Sequence, residues 1–107
     1  MPHTSFEKTL LAAVDEGLSS LGDSPKQAIL FHLENSFKLR KTKIPTNLTE
    51  FAKALEGIFG PGASYLEKLI VKRLYEKLGL EFEEEETWNF LDYIDDAKKH
   101  LNTMGDI

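Results

Sequence analysis

Two amphipathic helix patterns meet at the tetrapeptide Gly60-Pro61-Gly62-Ala63, and this junction constrains the fold more than any other part of the chain. Apolar residues recur on both sides of it with the i, i+3, i+4, i+7 spacing of a helix with one buried face. They are Leu48, Phe51, Ala52, Leu55, Ile58 and Phe59 before the junction, and Leu66, Leu69, Ile70, Leu74 and Leu78 after it. Glycine and proline favour a tight turn. The pattern therefore predicts a helical hairpin with its corner at Gly-Pro-Gly.

The same periodicity predicts three further helices, so the expected fold is a compact all-α bundle of about five helices. The five helices are expected over about 5–21, 24–40, 48–59, 62–78 and 87–101. Capping boxes are predicted at Ser24-Pro25-Lys26-Gln27 and Asn47-Leu48-Thr49-Glu50. Pro45 is expected to keep Ile44 extended. Residues 80–86 are expected to form an extended connector.

The chain of 107 residues, with 41% hydrophobic and 29% charged residues, has the composition of an ordinary folded domain. We expect a single domain over 1–107, with an ordered core over about 5–101 and frayed ends. The absence of cysteine excludes disulfides, thiolate catalysis and cysteine-ligated metal sites. No apolar run approaches the roughly 20 residues of a membrane span, and no signal peptide is evident. These features predict a cytoplasmic protein with no membrane partner.

The net charge of −5 is unevenly distributed along the chain. Residues 1–50 hold six basic and six acidic side chains, whereas residues 51–107 hold seven basic and twelve acidic side chains. Residues 51–107 therefore carry the whole excess of negative charge. A globally acidic chain is a poor generic nucleic-acid binder, because neutralisation of phosphates dominates that affinity.

A local basic cluster follows the second predicted helix nevertheless, and it consists of Lys38, Arg40, Lys41 and Lys43. Positive charge near the end of a helix is stabilising through the helix dipole, which explains part of the cluster. The alternative explanation is an anion or nucleic-acid site, with stacking limited to Phe37. A nucleic-acid-binding module that uses this cluster is therefore the alternative function.

An acidic cluster precedes the fifth predicted helix and consists of Glu81, Glu83, Glu84, Glu85 and Glu86. Acidic residues before a helix stabilise it through the same dipole, so a solvated helix leader explains them. Calcium-binding loops need ligands at defined spacing with an internal glycine, and this run has none. Pairing of this acidic cluster with the basic cluster of a second subunit is a minor hypothesis.

No pattern of residues indicates a catalytic site, a cofactor site or a metal site. The Gly60–Ala63 junction is neither a Walker A loop nor a GxGxxG fingerprint, so its glycines are interpreted as corner residues. Asp92, Asp96 and His100 share a helical face, but no Glu-x-x-His pair of the di-iron type occurs. Asp96 and His100 are interpreted as an ordinary i,i+4 pair. We therefore expect no catalytic residues, no metal ligands and no cofactor.

Five aromatic or apolar residues lie off the main stripes of the fourth and fifth helices: Tyr65, Val71, Tyr75, Trp88 and Tyr93. Tyrosine and tryptophan are enriched at protein interfaces. These residues are therefore the candidate partner-binding surface. The competing explanation is a fourth helix that is central in the bundle and buried all round.

A resemblance to a known family covers about Lys26 to Leu80, and it rests on the pattern of residues and not on a catalytic signature. Its parts are Ala28-Ile29-Leu30-Phe31-His32-Leu33-Glu34, Ile44-Pro45, Phe51 to Leu55-Glu56, and Phe59-Gly60-Pro61-Gly62-Ala63 with Leu66-Glu67. This pattern resembles the Nitrosopumilus-type output domains, which are small archaeal helical domains that occur alone or attached to signalling proteins. The resemblance implies a stand-alone regulatory or output module, and it supplies no active site.

The function predicted from the sequence is non-catalytic. It is a regulatory or signalling output module, or a protein-interaction module, that acts through a helical surface. Its partner is a protein or a second copy of the chain in a homodimer.

Overall fold

The computed structural model describes the backbone of residues 2–105 and the side chains of residues 6–100. Within residues 2–105 the chain forms five α-helices, two short 3₁₀ helices and no strand. In chain order they are α1 (Pro2–Ser19), α2 (Asp23–Ser36), η1 (Lys41–Thr46), α3 (Leu48–Phe59), η2 (Gly60–Gly62), α4 (Ala63–Leu78) and α5 (Phe90–Gly105). The prediction of an all-α bundle of about five helices is confirmed.

The terminal helices are shifted towards the chain ends relative to the prediction, α1 to Pro2–Ser19 and α5 to Phe90–Gly105. Helix α1 begins at Pro2 and α5 ends at Gly105, so both extend beyond the expected core of residues 5–101. The predicted fraying of Met1, Asp106 and Ile107 lies outside the described residues.

Helix α4 is the centre of the bundle, because it contacts α1, α3 and α5. Its buried residues lie on two faces and are Ala63, Leu66, Ile70, Val71, Leu74 and Tyr75. Helix α1 packs along it through a stripe of buried residues at four-residue spacing, Phe6, Leu10, Val14 and Leu18. Gly17 allows this close approach, because a Cβ atom there would lie 2.6 Å from Ile70 Cγ1.

The predicted hairpin of α3 and α4 is present, and η2 forms its corner. Gly60 has φ 60°, a left-handed conformation that glycine adopts without steric cost. Ala63 is 1% exposed, so α4 enters the core at its first residue. Gly79, with φ 71°, ends α4 in a left-handed cap, as the sequence predicts.

The segment between α2 and α3 differs from the prediction. Helix α2 ends at Ser36, because Lys38 has φ 56° and turns the chain back. The Leu39 N–H then donates to Leu33 O at 2.9 Å, and the Leu39 side chain is buried. Ile44 lies within η1 and is not extended, because the 3₁₀ turn buries its side chain completely. Core burial therefore outweighs the preference imposed by the following proline.

Two predicted capping boxes are wrong. Helix α2 begins at Asp23 with Gly22 as its N-cap, and no side-chain cap forms at Ser24. Helix α3 begins after Asn47 as predicted, but the Asn47 amide donates to Lys43 O instead of accepting from the helix. The stability of both helices depends more on the burial of an apolar face than on their caps.

A capping box that the sequence analysis missed begins α5. The Asn89 side chain accepts from the Asp92 N–H at 2.9 Å, and the Asp92 carboxylate accepts from the Asn89 N–H at 2.9 Å. This reciprocal pair satisfies two backbone donors that the first helical turn leaves free. Helix α5 therefore begins at Phe90 and not near Thr87.

Replacing Asp15 with asparagine is expected to lower the free energy of unfolding at pH 7 by about 1–2 kcal/mol. The Asp15 carboxylate accepts from Lys26 Nζ at 2.8 Å and from Lys41 Nζ at 2.5 Å, so it joins α1 to α2 and to η1. These bonds, from Lys26 first and then from Lys41, hold the pKa of Asp15 below its ordinary value of 3.8.

The acid dependence of stability tests this role of Asp15. A lowered folded-state pKa gives stability that is present above the unfolded pKa and is lost as the pH falls through the folded pKa. The difference between wild type and Asp15→Asn in urea unfolding should therefore shrink from about pH 5 to about pH 2. Glu7→Gln, an exposed change on the same helix, is the control. A difference that is independent of pH would contradict this role.

Candidate functional site

The five residues predicted to form one partner-binding surface do not lie together on the outside of the protein. Tyr65 is 74% exposed and Trp88 is 37% exposed, whereas Val71, Tyr75 and Tyr93 are buried. The second apolar face of α4 is covered by α5 of the same chain. The prediction of a single exposed surface is therefore wrong for these three residues, and the competing explanation of a central α4 holds.

The buried tyrosines belong to an aromatic cluster that holds the connector of residues 80–89 against α4 and α5. Phe82 packs at right angles on Tyr75, with ring centroids 5.5 Å apart, and lies 5.5 Å from the Tyr93 ring. Trp88 meets Tyr93 edge to face at 5.2 Å. Offset and edge-to-face contacts of this kind are the favourable ones for aromatic rings. The cluster places Trp88 beside α4 and α5.

Both tyrosine hydroxyls in the cluster have hydrogen-bond partners. The Tyr93 hydroxyl accepts from the Glu85 N–H at 2.7 Å and donates to Glu85 O at 3.0 Å, which ties the connector to α5. The Tyr75 hydroxyl donates to Asp96 Oδ2 at 2.7 Å, and its oxygen lies 3.0 Å from Tyr93 O. Burial, and then the Asp96 carboxylate, raise the pKa of Tyr75 far above its ordinary value. The Tyr75 hydroxyl is therefore uncharged near neutral pH.

Two lysines of α4 fix the outer side of the connector. Lys68 Nζ lies 2.9 Å from Glu84 Oε1, and Lys72 Nζ lies 5.8 Å from the centre of the Phe82 ring. The Lys68–Glu84 hydrogen bond raises the pKa of Lys68 and lowers that of Glu84. One glutamate of the acidic cluster is therefore paired within the chain.

A groove of about 300 Å³ opens where the connector meets α3, α4 and α5. We call it the Trp88 groove. Its lining includes the apolar residues Val71, Trp88, Phe90 and Tyr93, and the acidic residues Glu56 and Glu67. Val71 is fully buried and Phe90 and Tyr93 are nearly so, so these residues close the base of the groove, and the partly exposed indole of Trp88 forms its accessible wall. Three of the five predicted partner-binding residues therefore do meet at one place.

The polar edge of the Trp88 groove is acidic. Glu67 is half-buried, and this desolvation, followed by repulsion from Glu56, raises the pKa of Glu67. Among the side chains of residues 6–100, no cation pairs with either carboxylate. Lys68 also lines the groove, but it is already paired with Glu84. The groove thus combines an apolar floor with uncompensated negative charge.

A second cleft of about 280 Å³ lies on the other side of Trp88. Its lining residues are Tyr75, Glu81, Glu83, Glu85, Trp88, Asp96 and His100. His100 Nδ1 lies 2.9 Å from Asp96 O and 3.5 Å from Asp96 Oδ1, which is the i,i+4 pair that the sequence predicts. The Asp92 carboxylate caps α5 and is not among the residues that line this second cleft. Among the described residues, no group of three potential ligands has the geometry to hold a metal ion.

The basic cluster lies elsewhere, at the end of α2 and in η1. Arg40 lies 3.8 Å from the Glu34 carboxylate, and Lys41 is bound to Asp15. Lys38 and Lys43 remain exposed. Neither α2 nor η1 contacts α4 or α5 in the described chain, so the basic cluster is separate from the Trp88 groove. Internal pairing weakens the case for an anion or nucleic-acid site built on all four cations.

Comparisons with known proteins identified no relative of this chain. No protein-family model, no curated protein and no solved structure matches this chain. The resemblance to the Nitrosopumilus-type output domains therefore stays a prediction. Among the described helices, none is both long enough and apolar enough to cross a membrane.

Sequence reasoning missed the two acidic residues of the groove and the role of Phe82. Glu56 and Glu67 lie on different helices, and nothing in their local sequence indicates that α3 and α4 bring them together. The spacing of Asn89 and Asp92 did carry a usable signal, because a capping residue followed three positions later by an acid marks a helix start. That signal would have placed Trp88 before α5, in the connector.

Proposed function

We propose that this chain is a non-catalytic protein-interaction module of the regulatory or output kind, and that it binds its partner through the Trp88 groove. One observation carries the proposal: Trp88 is 37% exposed and forms the accessible wall of a concave groove whose base is closed by the buried side chains of Val71, Phe90 and Tyr93. Tryptophan is enriched at binding hot spots, which concentrate in well-packed pockets. The connector holds this indole in place before any partner arrives, which reduces the entropy cost of binding.

The two most exposed aromatic residues of the described chain give weaker support for a site. Phe31 is 67% exposed on α2 and Tyr65 is 74% exposed on α4, but neither lines the Trp88 groove. Single apolar residues on a protein surface are ordinary and need no function. Tyr65 also borders a cleft, of about 290 Å³, but that cleft is lined mainly by charged side chains. Trp88 differs because its groove is also lined by the aromatic side chains of Phe90 and Tyr93.

The polar groups beside the groove favour binding over catalysis. The Ser64 hydroxyl donates to Pro61 O at 3.2 Å, and Lys68 is paired with Glu84. A serine nucleophile needs an adjacent base, and a catalytic lysine needs a lowered pKa. Ser64 is instead bonded to a backbone carbonyl, and the pKa of Lys68 is raised.

A homodimer is the less favoured form of this function. Each copy carries a net charge of −5, so two copies repel each other at long range. A second protein of opposite charge would be attracted instead. Sedimentation of the wild-type chain tests the homodimer directly, because a dimer that dissociates on Trp88→Ser would place the self-contact at the groove.

Selection from a phage-displayed library of random peptides is the test of the proposed function. We expect enrichment on the immobilised wild-type protein, and an affinity at least about tenfold weaker for Trp88→Ser, because removal of a central tryptophan commonly costs more than about 1.4 kcal/mol. Trp88 is the single tryptophan of the chain, so binding should also change its fluorescence.

Phe31→Ser is the matched control for this experiment. It removes an exposed aromatic side chain from α2, which does not contact α4 or α5 in the described structure. The selected peptides should bind Phe31→Ser as tightly as wild type. Failure to enrich any peptide on the wild type, or equal loss of binding in the two variants, would overturn the proposal.

A further inference from the structure

The charges around the Trp88 groove are unbalanced in a way that the fold does not require. Glu56 on α3 and Glu67 on α4 face the groove, and each raises the energy of the other when both are ionised. Partial burial adds a desolvation cost to Glu67. A glutamine at either position would fill the same space without this repulsion. A group that costs stability in the free protein is a common property of binding sites.

Lys68, the one cation among the described residues that line this groove, does not relieve the repulsion. Lys68 Nζ is 2.9 Å from Glu84 Oε1, and this hydrogen bond is the main cause of its raised pKa. Glu84 of the connector thus neutralises Lys68. The negative charges of Glu56 and Glu67 are left without a cation. An incoming cation would lower the pKa of Glu67 and would remove the repulsion between the two carboxylates.

The size and walls of the groove define the rest of the partner. Its volume of about 300 Å³ is at the lower limit of the pockets that enclose small ligands, about 300–1,000 Å³. Such a volume accepts one or two large side chains of a protein segment. Trp88 adds an aromatic face, and a guanidinium or ammonium group packs favourably on tryptophan.

The charge of the surrounding chain acts in the same direction. Residues 51–107, which provide every lining residue of the groove, carry seven basic and twelve acidic side chains. Their field attracts basic partners and speeds the encounter. The basic residues of the chain's own first half are partly paired, as Lys41 with Asp15 and Arg40 with Glu34.

From this complementarity we infer that the Trp88 groove takes a partner segment that presents a large apolar side chain next to a lysine or arginine. The apolar side chain packs on the indole of Trp88, above the nearly buried rings of Phe90 and Tyr93, and the cation lies between Glu56 and Glu67. This inference rests on the proposed function and specifies the chemistry of the partner.

The sequences enriched from the random peptide library test the inference. We expect an excess of peptides with leucine, phenylalanine or tryptophan within a few positions of lysine or arginine. Their affinity for the double variant Glu56→Gln/Glu67→Gln should fall by about tenfold, because the charge contacts at the half-buried Glu67 and the exposed Glu56 are both lost. It should also fall with added salt, since salt screens contacts at a solvent-exposed edge.

Glu7→Gln is the matched control, because it removes one exposed negative charge from α1 and should leave the affinity unchanged. The outcomes separate the two claims. Peptides that require Trp88 but are uncharged or acidic would overturn the inference and leave the proposed function standing. So would a homodimer that depends on Trp88. Peptides that bind without need of Trp88 would overturn both.

Discussion

Replacing Gly17 with alanine is expected to lower the free energy of unfolding by about 1–3 kcal/mol, although alanine is the better helix former by about 1 kcal/mol. The added Cβ atom would lie 2.6 Å from Ile70 Cγ1, which is far inside van der Waals contact. Ile70 is fully buried, and a β-branched side chain in a helix has one strongly preferred rotamer. The overlap must therefore push α1 away from α4.

Gly57→Ala is the matched control for Gly17→Ala. A Cβ atom at Gly57 would lie 3.3 Å from Phe37 Cζ, the far end of a side chain that is 41% exposed. Phe37 can turn outward, so the helix propensity of alanine should dominate and leave the protein as stable or about 1 kcal/mol more stable. Urea unfolding of both variants measures this difference in sign. Equal effects of the two changes would contradict the packing seen between α1 and α4.

A double-mutant cycle locates the overlap at Ile70. Ile70→Ala alone is expected to be destabilising, because it leaves a cavity in the core. Once the side chain is truncated, the Gly17→Ala change no longer meets Cγ1, so its extra cost should disappear. Additive effects would show that the strain of Gly17→Ala arises elsewhere.

The sequence predicted the hairpin and the helical bundle because both depend on strong local signals. The apolar stripes of α3 and α4 and the Gly-Pro-Gly corner lie within a few turns of each other. Helix ends were predicted less well where a distant contact decides them. Lys38 adopts φ 56° because Leu39 has to reach the core, and no local pattern around it indicates this.

The candidate site could be predicted only in part. Periodicity shows that α4 has two apolar faces, but it cannot show which element covers the second one. The structure assigns that role to α5, which packs on α4 over Val71 and Tyr75, while Trp88 in the connector stays 37% exposed. The acidic edge of the groove depends on the pairing of α3 with α4 in three dimensions, so it was beyond sequence reasoning.

Replacing Phe82 with alanine is expected to lower the free energy of unfolding by about 2–4 kcal/mol and to loosen the connector of residues 80–89. Phe82 is a partly buried side chain on the core, and its ring contacts those of Tyr75 and Tyr93. Without it, the connector keeps the contacts of Trp88 and Glu85 with Tyr93 and the ion pair of Glu84 with Lys68. That ion pair is at the surface, where it contributes little.

A protease that cleaves after glutamate measures the loosening, because the connector contains five glutamates between residues 81 and 86. Cleavage there should be faster in Phe82→Ala than in wild type under conditions where the rest of the chain stays folded. The emission of Trp88 should shift to longer wavelength, since the indole loses its packing on Tyr93.

Phe31→Ala is the control for Phe82→Ala, because a phenylalanine that is 67% exposed should change stability by less than about 0.5 kcal/mol. If Phe82→Ala matches this control in unfolding and in proteolysis, the aromatic cluster does not hold the connector. If it loosens the connector, it should also weaken every ligand that depends on Trp88, because the groove exists only while the connector forms its wall. Stability and binding would then be coupled through the single ring of Phe82.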